Sequence, residues 1–143
     1  MKTKRTGFIA AMVFCCLFMA STIVLAQDNG NGTVTIGDKI WLKDAGCIGL
    51  MNWTEAGNAA AALASGQCRL TDGSSTGSWR LPTRDELLAV FASSGSFTNV
   101  RNSYYWTQSM GGTGSSPYFC HVTGTCLPTG KTSIGYVWPV RSR

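Results

Sequence analysis

The sequence predicts an α+β domain, with two helices and a small antiparallel sheet built largely from the C-terminal third. Three observations predict it. Asn52-Trp53-Thr54-Glu55 and Thr83-Arg84-Asp85-Glu86 each carry helix-start chemistry. Three aromatic or β-branched runs, beginning at Tyr104, Tyr118 and Gly135, follow the second of these. Polar, glycine-rich stretches separate them, as turns between strands require.

Residues 1–26 read as a secretory signal peptide. Lys2, Lys4 and Arg5 form a basic start, Phe8 to Leu25 is apolar apart from Ser21 and Thr22, and Val24-Leu25-Ala26 before Gln27 suits cleavage. An uncleaved membrane anchor is the rival reading, since the run approaches the length of a spanning helix. Cleavage would leave 117 residues, and the charge falls from +5 to +2 once those three cations leave. A balance that small, with no dense Lys/Arg cluster, argues against nucleic acid as a partner. The expected product is secreted, periplasmic or cell-surface, with no membrane contact after cleavage.

The remaining chain suffices for one domain, residues 34–143, preceded by a flexible lead-in at 27–33. The lead-in, QDNGNGT, superficially resembles a calcium loop, but Gly30 and Lys39 stand where the third and twelfth ligands belong. Val34, Ile36, Ile40, Trp41 and Leu42 suggest one or two short strands. Asn52 then caps a helix whose N3 residue is Glu55. That helix runs through an alanine tract to about Ala64, with Gly66 as its stop.

The most informative stretch is Ser78-Trp79-Arg80-Leu81-Pro82-Thr83-Arg84-Asp85-Glu86-Leu87. The Thr83 hydroxyl can accept from an orphan N–H of the first turn, and Glu86 can reach back to the Thr83 N–H. Asp85 and Glu86 favour the positive end of the helix dipole. Pro82 holds the entry extended. Leu81 and Leu87 are spaced for a hydrophobic staple. The helix is predicted from Arg84 to about Ala92, with Leu87, Leu88 and Phe91 as its buried face. Trp79, Arg80, Thr83 and Glu86 therefore have structural roles, with Arg80 placed to bridge loop carbonyls.

Strands are predicted at Tyr104–Ser109, Tyr118–Val122 and Gly135–Arg141, with Pro139 marking an edge or bulge. Cys47, Cys68, Cys120 and Cys126 remain after signal removal. An even count in an oxidising compartment favours two bridges. Of three possible pairings, Cys47–Cys68 and Cys120–Cys126 is preferred, the second crossing a hairpin whose loop is Val122-Thr123-Gly124. No C-x-x-C pair exists and His121 is the only histidine, so neither a metal nor another cofactor is expected.

WRLPTRDEL, YYWTQS and the terminal GYVWPVR, with Trp41-Leu42-Lys43-Asp44 and Trp53-Thr54-Glu55-Ala56 upstream, resemble the Lcl C-terminal domain family. That family is named for the domain ending the Legionella collagen-like adhesin. The resemblance spans Ile36 to Arg141. It implies a C-type-lectin-like fold and binding at the cell exterior, with polysaccharides such as glycosaminoglycans as one partner class. The wider fold group also includes sulfatase-modifying oxidases. The resemblance carries over no contact residue.

Catalysis finds little support in the residues. Asp85 and Glu86 are adjacent on one helix and do not face each other. A triad would have to centre on His121. An oxidase would need reactive thiols, which bridging would consume. The expectation is a non-catalytic binding or adhesion module for acidic polysaccharide. A structural subunit of a surface assembly and a formylglycine-generating type of oxidase are the alternatives. Candidate ligand residues are Arg101, Tyr104, Tyr105, Tyr118, His121, Lys131, Trp138 and Arg141. Alternation along strands makes about half of the aromatics core residues.

Overall fold

The computed structural model describes residues 23–143. The basic start and most of the apolar run of the expected signal peptide lie outside the described residues, as do Cys15 and Cys16. The chain runs β1 (Gln27–Asp28), β2 (Thr33–Ile36), β3 (Lys39–Leu42), β4 (Leu50–Met51), α1 (Trp53–Ala62), α2 (Arg84–Phe91), β5 (Tyr104–Met110), β6 (Pro117–His121), β7 (Cys126–Pro128), β8 (Gly135–Tyr136) and β9 (Val140–Ser142). A one-turn 3-10 helix at Ser94–Ser96 follows α2.

The α+β class holds, but strands predominate and there are two sheets, ordered β1-β2-β3-β9 and β4-β8-β5-β6-β7. The sheet is therefore not confined to the C-terminal third. Residues 27–33 are also not a loose lead-in, because Gln27 and Asp28 pair with Thr35 and Val34. Nor is the second sheet wholly antiparallel: β5 and β8 run parallel, with Tyr105 opposite Tyr136.

The predicted strand Gly135–Arg141 divides into β8 and β9, which belong to different sheets. Pro139 sits at the break and has no N–H to offer a ladder. Its carbonyl still accepts from the Leu42 N–H at 3.1 Å. Val137 and Trp138, between the two strands, are completely buried and tie the sheets together.

Both helix starts form as their chemistry dictates. Asn52 Oδ1 accepts from the Glu55 N–H at 3.0 Å, and Glu55 accepts from the Asn52 N–H at 3.1 Å. Thr83 Oγ1 accepts from the Glu86 N–H at 3.2 Å, and Glu86 accepts from the Thr83 N–H at 2.9 Å. The first helix stops at Ala62, short of Ala64, because Leu63 turns extended to bury its side chain. Gly66 serves the turn beyond it, at φ 96°. Leu87 and Val90 are the fully buried residues of α2, while Leu88 and Phe91 are only partly covered. The expected Leu81–Leu87 staple does not form within one cluster. Leu81 packs with Ala56, Ala60, Trp106 and Val137, whereas Leu87 joins the larger core.

The larger core centres on Trp138. Its ring meets Trp41, Phe97, Tyr105 and Phe91 within 6.2 Å, and its Nε1–H donates to the Leu42 carbonyl at 2.9 Å. The smaller core lies over the other face of the second sheet, where α1 presents Ala56 and Ala60 to Trp106. Gly135 is needed there, since a Cβ on it would lie 3.1 Å from Trp106 Nε1. Both expected bridges form. Cys47–Cys68 closes the α1 segment, and Cys120–Cys126 joins directly opposed residues of β6 and β7. The hairpin loop is Val122-Thr123-Gly124, closed by His121 N–H to Thr125 O at 2.7 Å, with Gly124 at φ 104°.

Candidate functional site

Strand alternation divides the aromatic C-terminal third between two faces. Tyr104 lies opposite His121, and Trp106 lies opposite Phe119, so these four side chains share one face of the β5–β6 pair. Trp106 is covered by α1 and the β4 segment, with its Nε1–H donating to the Met51 carbonyl at 2.9 Å. Beyond that cover, Tyr104, Phe119 and His121 remain partly open to solvent. Tyr104 stacks on Phe119 at 4.3 Å between centroids and meets the His121 ring edge-on at 4.9 Å. Leu127, opposite Phe119 on β7, extends this face and is 44% exposed.

The local sequence explains the geometry. The disulfide and the three-residue loop hold β6 and β7 in register, which presents Phe119 and His121 on the same side. His121 Nδ1 is itself fixed by the Thr123 hydroxyl at 2.8 Å. Near the other end of β5, Trp53 donates its indole N–H to the Thr107 carbonyl at 2.9 Å. Lys131 lies over the Trp53 ring at 5.0 Å, a cation held on an aromatic surface.

The remaining candidates separate from this face. Tyr105 and Trp138 are fully buried, so neither can touch a ligand. The Tyr105 hydroxyl accepts from the Arg101 N–H at 2.8 Å, and burial pushes its pKa up. Tyr118 points to the opposite face, where the Arg84 guanidinium lies 5.0 Å from its ring centre. Arg141 is held by Asp72 at 3.1 Å and lies over the Trp79 ring at 5.3 Å, which makes it structural. Burial raises the Asp72 pKa, but hydrogen bonds from Ser74 and Arg141 outweigh it and hold the carboxyl below its ordinary value. Arg101 and Lys131 are exposed.

Arg80 does more than bridge a carbonyl. It bonds the Leu81 oxygen at 3.1 Å and also grips both oxygens of Glu86 at 2.9 Å. Phe119, stacked on Tyr104, is the ring of this face that the sequence candidates did not include. Its position two residues before His121 on a strand was the available signal. Among the described residues, no group of three His, Cys, Asp or Glu side chains is placed to hold a metal. No helix of the described residues is long and apolar enough to cross a membrane.

No curated protein matches the chain. A family model described as the Lcl C-terminal domain matches residues 35–141, which cover both sheets from β2 to β9 and both helices. The chain belongs to the Lcl C-terminal domain family.

Proposed function

We propose that this domain is a secreted, non-catalytic adhesion module that holds extracellular polysaccharide against the open face of β5 and β6. The observation that carries the reading is the Tyr104–Phe119–His121 stack, a ring platform left partly uncovered beside exposed Leu127. Sugar rings present C–H faces, and aromatic side chains of this kind stack on them while their polar tips bond hydroxyls. Lys131, poised on Trp53, supplies positive charge for an acidic chain. A C-type-lectin-like fold fits the two sheets and two helices, and the two disulfides fit an oxidising exterior.

The oxidase alternative is the weaker one, because all four cysteines of the described residues are consumed in bridges. A role in a surface assembly draws support from another region. Leu50 and Ile134 are 53% and 55% exposed beside the open edge of β4. A glycan array that includes heparin, read at two salt concentrations, tests the adhesion reading. Salt-sensitive binding that weakens in Tyr104→Ala supports it. A flat array, with a protein captured through the β4 edge, replaces it with the assembly role.

A further inference from the structure

The outer side of α2 carries a feature that the aromatic face does not use. An open trough of about 320 Å³ runs between α2 and the β2–β3 hairpin. Strand register builds one wall. Ile36 pairs with Lys39 and Val34 with Trp41, so these side chains share one face of the hairpin, the face turned toward α2. Helical spacing builds the other wall, where Asp85, Glu86, Ala89 and Val90 recur along one side of α2. Trp41 and Val90 are buried beneath the trough, while half-buried Ile36 and exposed Ala89 reach its surface.

One end of the trough is acidic. Asp38 in the hairpin turn lies there with Asp85 and Glu86 of the first turn of α2. Against these three carboxylates the trough sets one cation, Lys39, whose Nζ is 2.8 Å from Asp38. Glu86 is answered by Arg80 at 2.9 Å. Asp85 forms no ion pair among the described residues. The result is an apolar channel that ends on a carboxylate lacking its counter-charge. A neutral occupant would take Asp85 out of water without a partner, and an acidic one would add repulsion. Anionic lipid and acidic polysaccharide are therefore poor occupants, and a cation with an apolar body is a good one.

We infer that this trough docks a basic, apolar linear segment of a partner protein, with the stem of a lysine or arginine along Ile36 and Ala89 and its charged head against Asp85. Such side chains lay their methylene stems on apolar surface while the head reaches a polar rim. A neighbouring apolar side chain of the segment fills the remainder, over Trp41 and Val90. A space of this size takes a few side chains, which suits a short linear segment and not a broad globular face. Phe91 of α2 meets Tyr105 on one face of the second sheet, whereas Tyr104 and Phe119 open on the other, so both surfaces can be occupied at once. The domain thereby gains a protein tether on residues that polysaccharide binding does not use, and the two activities can fail separately.

Amide NMR titration of the protein with a pair of blocked peptides, acetyl-Leu-Lys-Leu-amide and acetyl-Leu-Glu-Leu-amide, tests it. The lysine peptide is expected to shift the Asp38, Lys39, Ala89 and Val90 amides, and the glutamate peptide to leave them unmoved. Asp85→Asn should weaken the lysine peptide about fivefold, the upper range for one solvent-screened ion pair. Ala89→Trp, at an exposed helix position, should fill the trough and abolish the shifts. Heparin added last should not displace the peptide. Equal shifts with both peptides, no shift at the trough amides, displacement by heparin, or affinity unaltered in either variant with native dispersion retained would overturn the inference.

Discussion

Arg80 and Glu86 form a two-pronged ion pair with both nitrogen–oxygen distances at 2.9 Å. The same carboxylate caps the Thr83 N–H at 2.9 Å. One glutamate therefore fastens the start of α2 to the strand-like segment before it. That segment is itself bonded to β9 through reciprocal Arg80–Val140 hydrogen bonds of 3.0 Å. Glu86→Gln keeps an acceptor for the cap but removes the charge, and should lower stability by about 1–2 kcal/mol. Glu86→Ala also removes the cap and should cost about 2–4 kcal/mol. Urea-unfolding midpoints measure both. Equal losses in the two variants would mean that the cap adds nothing to the ion pair.

Stability should fall on the acid side through the same residue. Burial raises the Glu86 pKa, but hydrogen bonds from Arg80 and Thr83 outweigh it and lower the value from 4.5 to about 2. A depressed carboxyl contributes stability that is present above its unfolded pKa and lost as pH falls through its folded pKa. The window is therefore from about 4.5 down to about 2. The loss should be of order 2 kcal/mol after allowance for partial solvent screening. Glu86→Gln should flatten this limb without abolishing it, because the Asp72 pKa is also lowered. Unfolding free energies measured across that range check the shape.

What the sequence made legible was local chemistry. The two capping boxes, the hairpin loop and both cysteine pairings depend on neighbours within a few residues or on a short menu of pairings. The parallel β5–β8 contact and the division at Pro139 depend on how distant segments pack, which no local pattern encodes. The candidate site was half legible for the same reason. Alternation separates Tyr104 from Tyr105, but only the placement of α1 and α2 against the second sheet shows that Tyr105 and Trp106 are covered and Tyr104 is left partly open. The left-handed backbone at Cys68 and Arg69 gave no sequence signal, because it does not fall on glycine.

The two disulfides should differ in what they contribute. Cys47–Cys68 spans a sequence separation of 21, and Cys120–Cys126 a separation of 6. Cross-linking removes more entropy from the unfolded chain when the closed loop is longer. Replacing Cys47 and Cys68 together by alanine should cost about 1 kcal/mol more than replacing Cys120 and Cys126. Thermal unfolding of the two double variants gives the comparison. The reverse order would show that hairpin register, not loop closure, dominates.

Tyr104 and Trp138 stand in the same aromatic-rich third, yet they should respond to mutation in opposite ways. Trp138 is fully buried, contacts four other rings and donates to the Leu42 carbonyl. Trp138→Ala leaves a large cavity and an unpaired buried carbonyl, so a loss of about 3–5 kcal/mol or failure to fold is expected. Tyr104 is partly exposed and rests on Phe119 and His121. Tyr104→Ala should cost only about 1 kcal/mol, the range of one partly solvated aromatic pair. It should nonetheless reduce polysaccharide binding more than any change on the α2 side of the sheet, such as Tyr118→Phe. Binding isotherms on folded Tyr104→Ala and Tyr118→Phe decide the matter. Equal affinities in the two would remove the open face of β5 and β6 as the ligand platform and leave Tyr104 a purely packing residue.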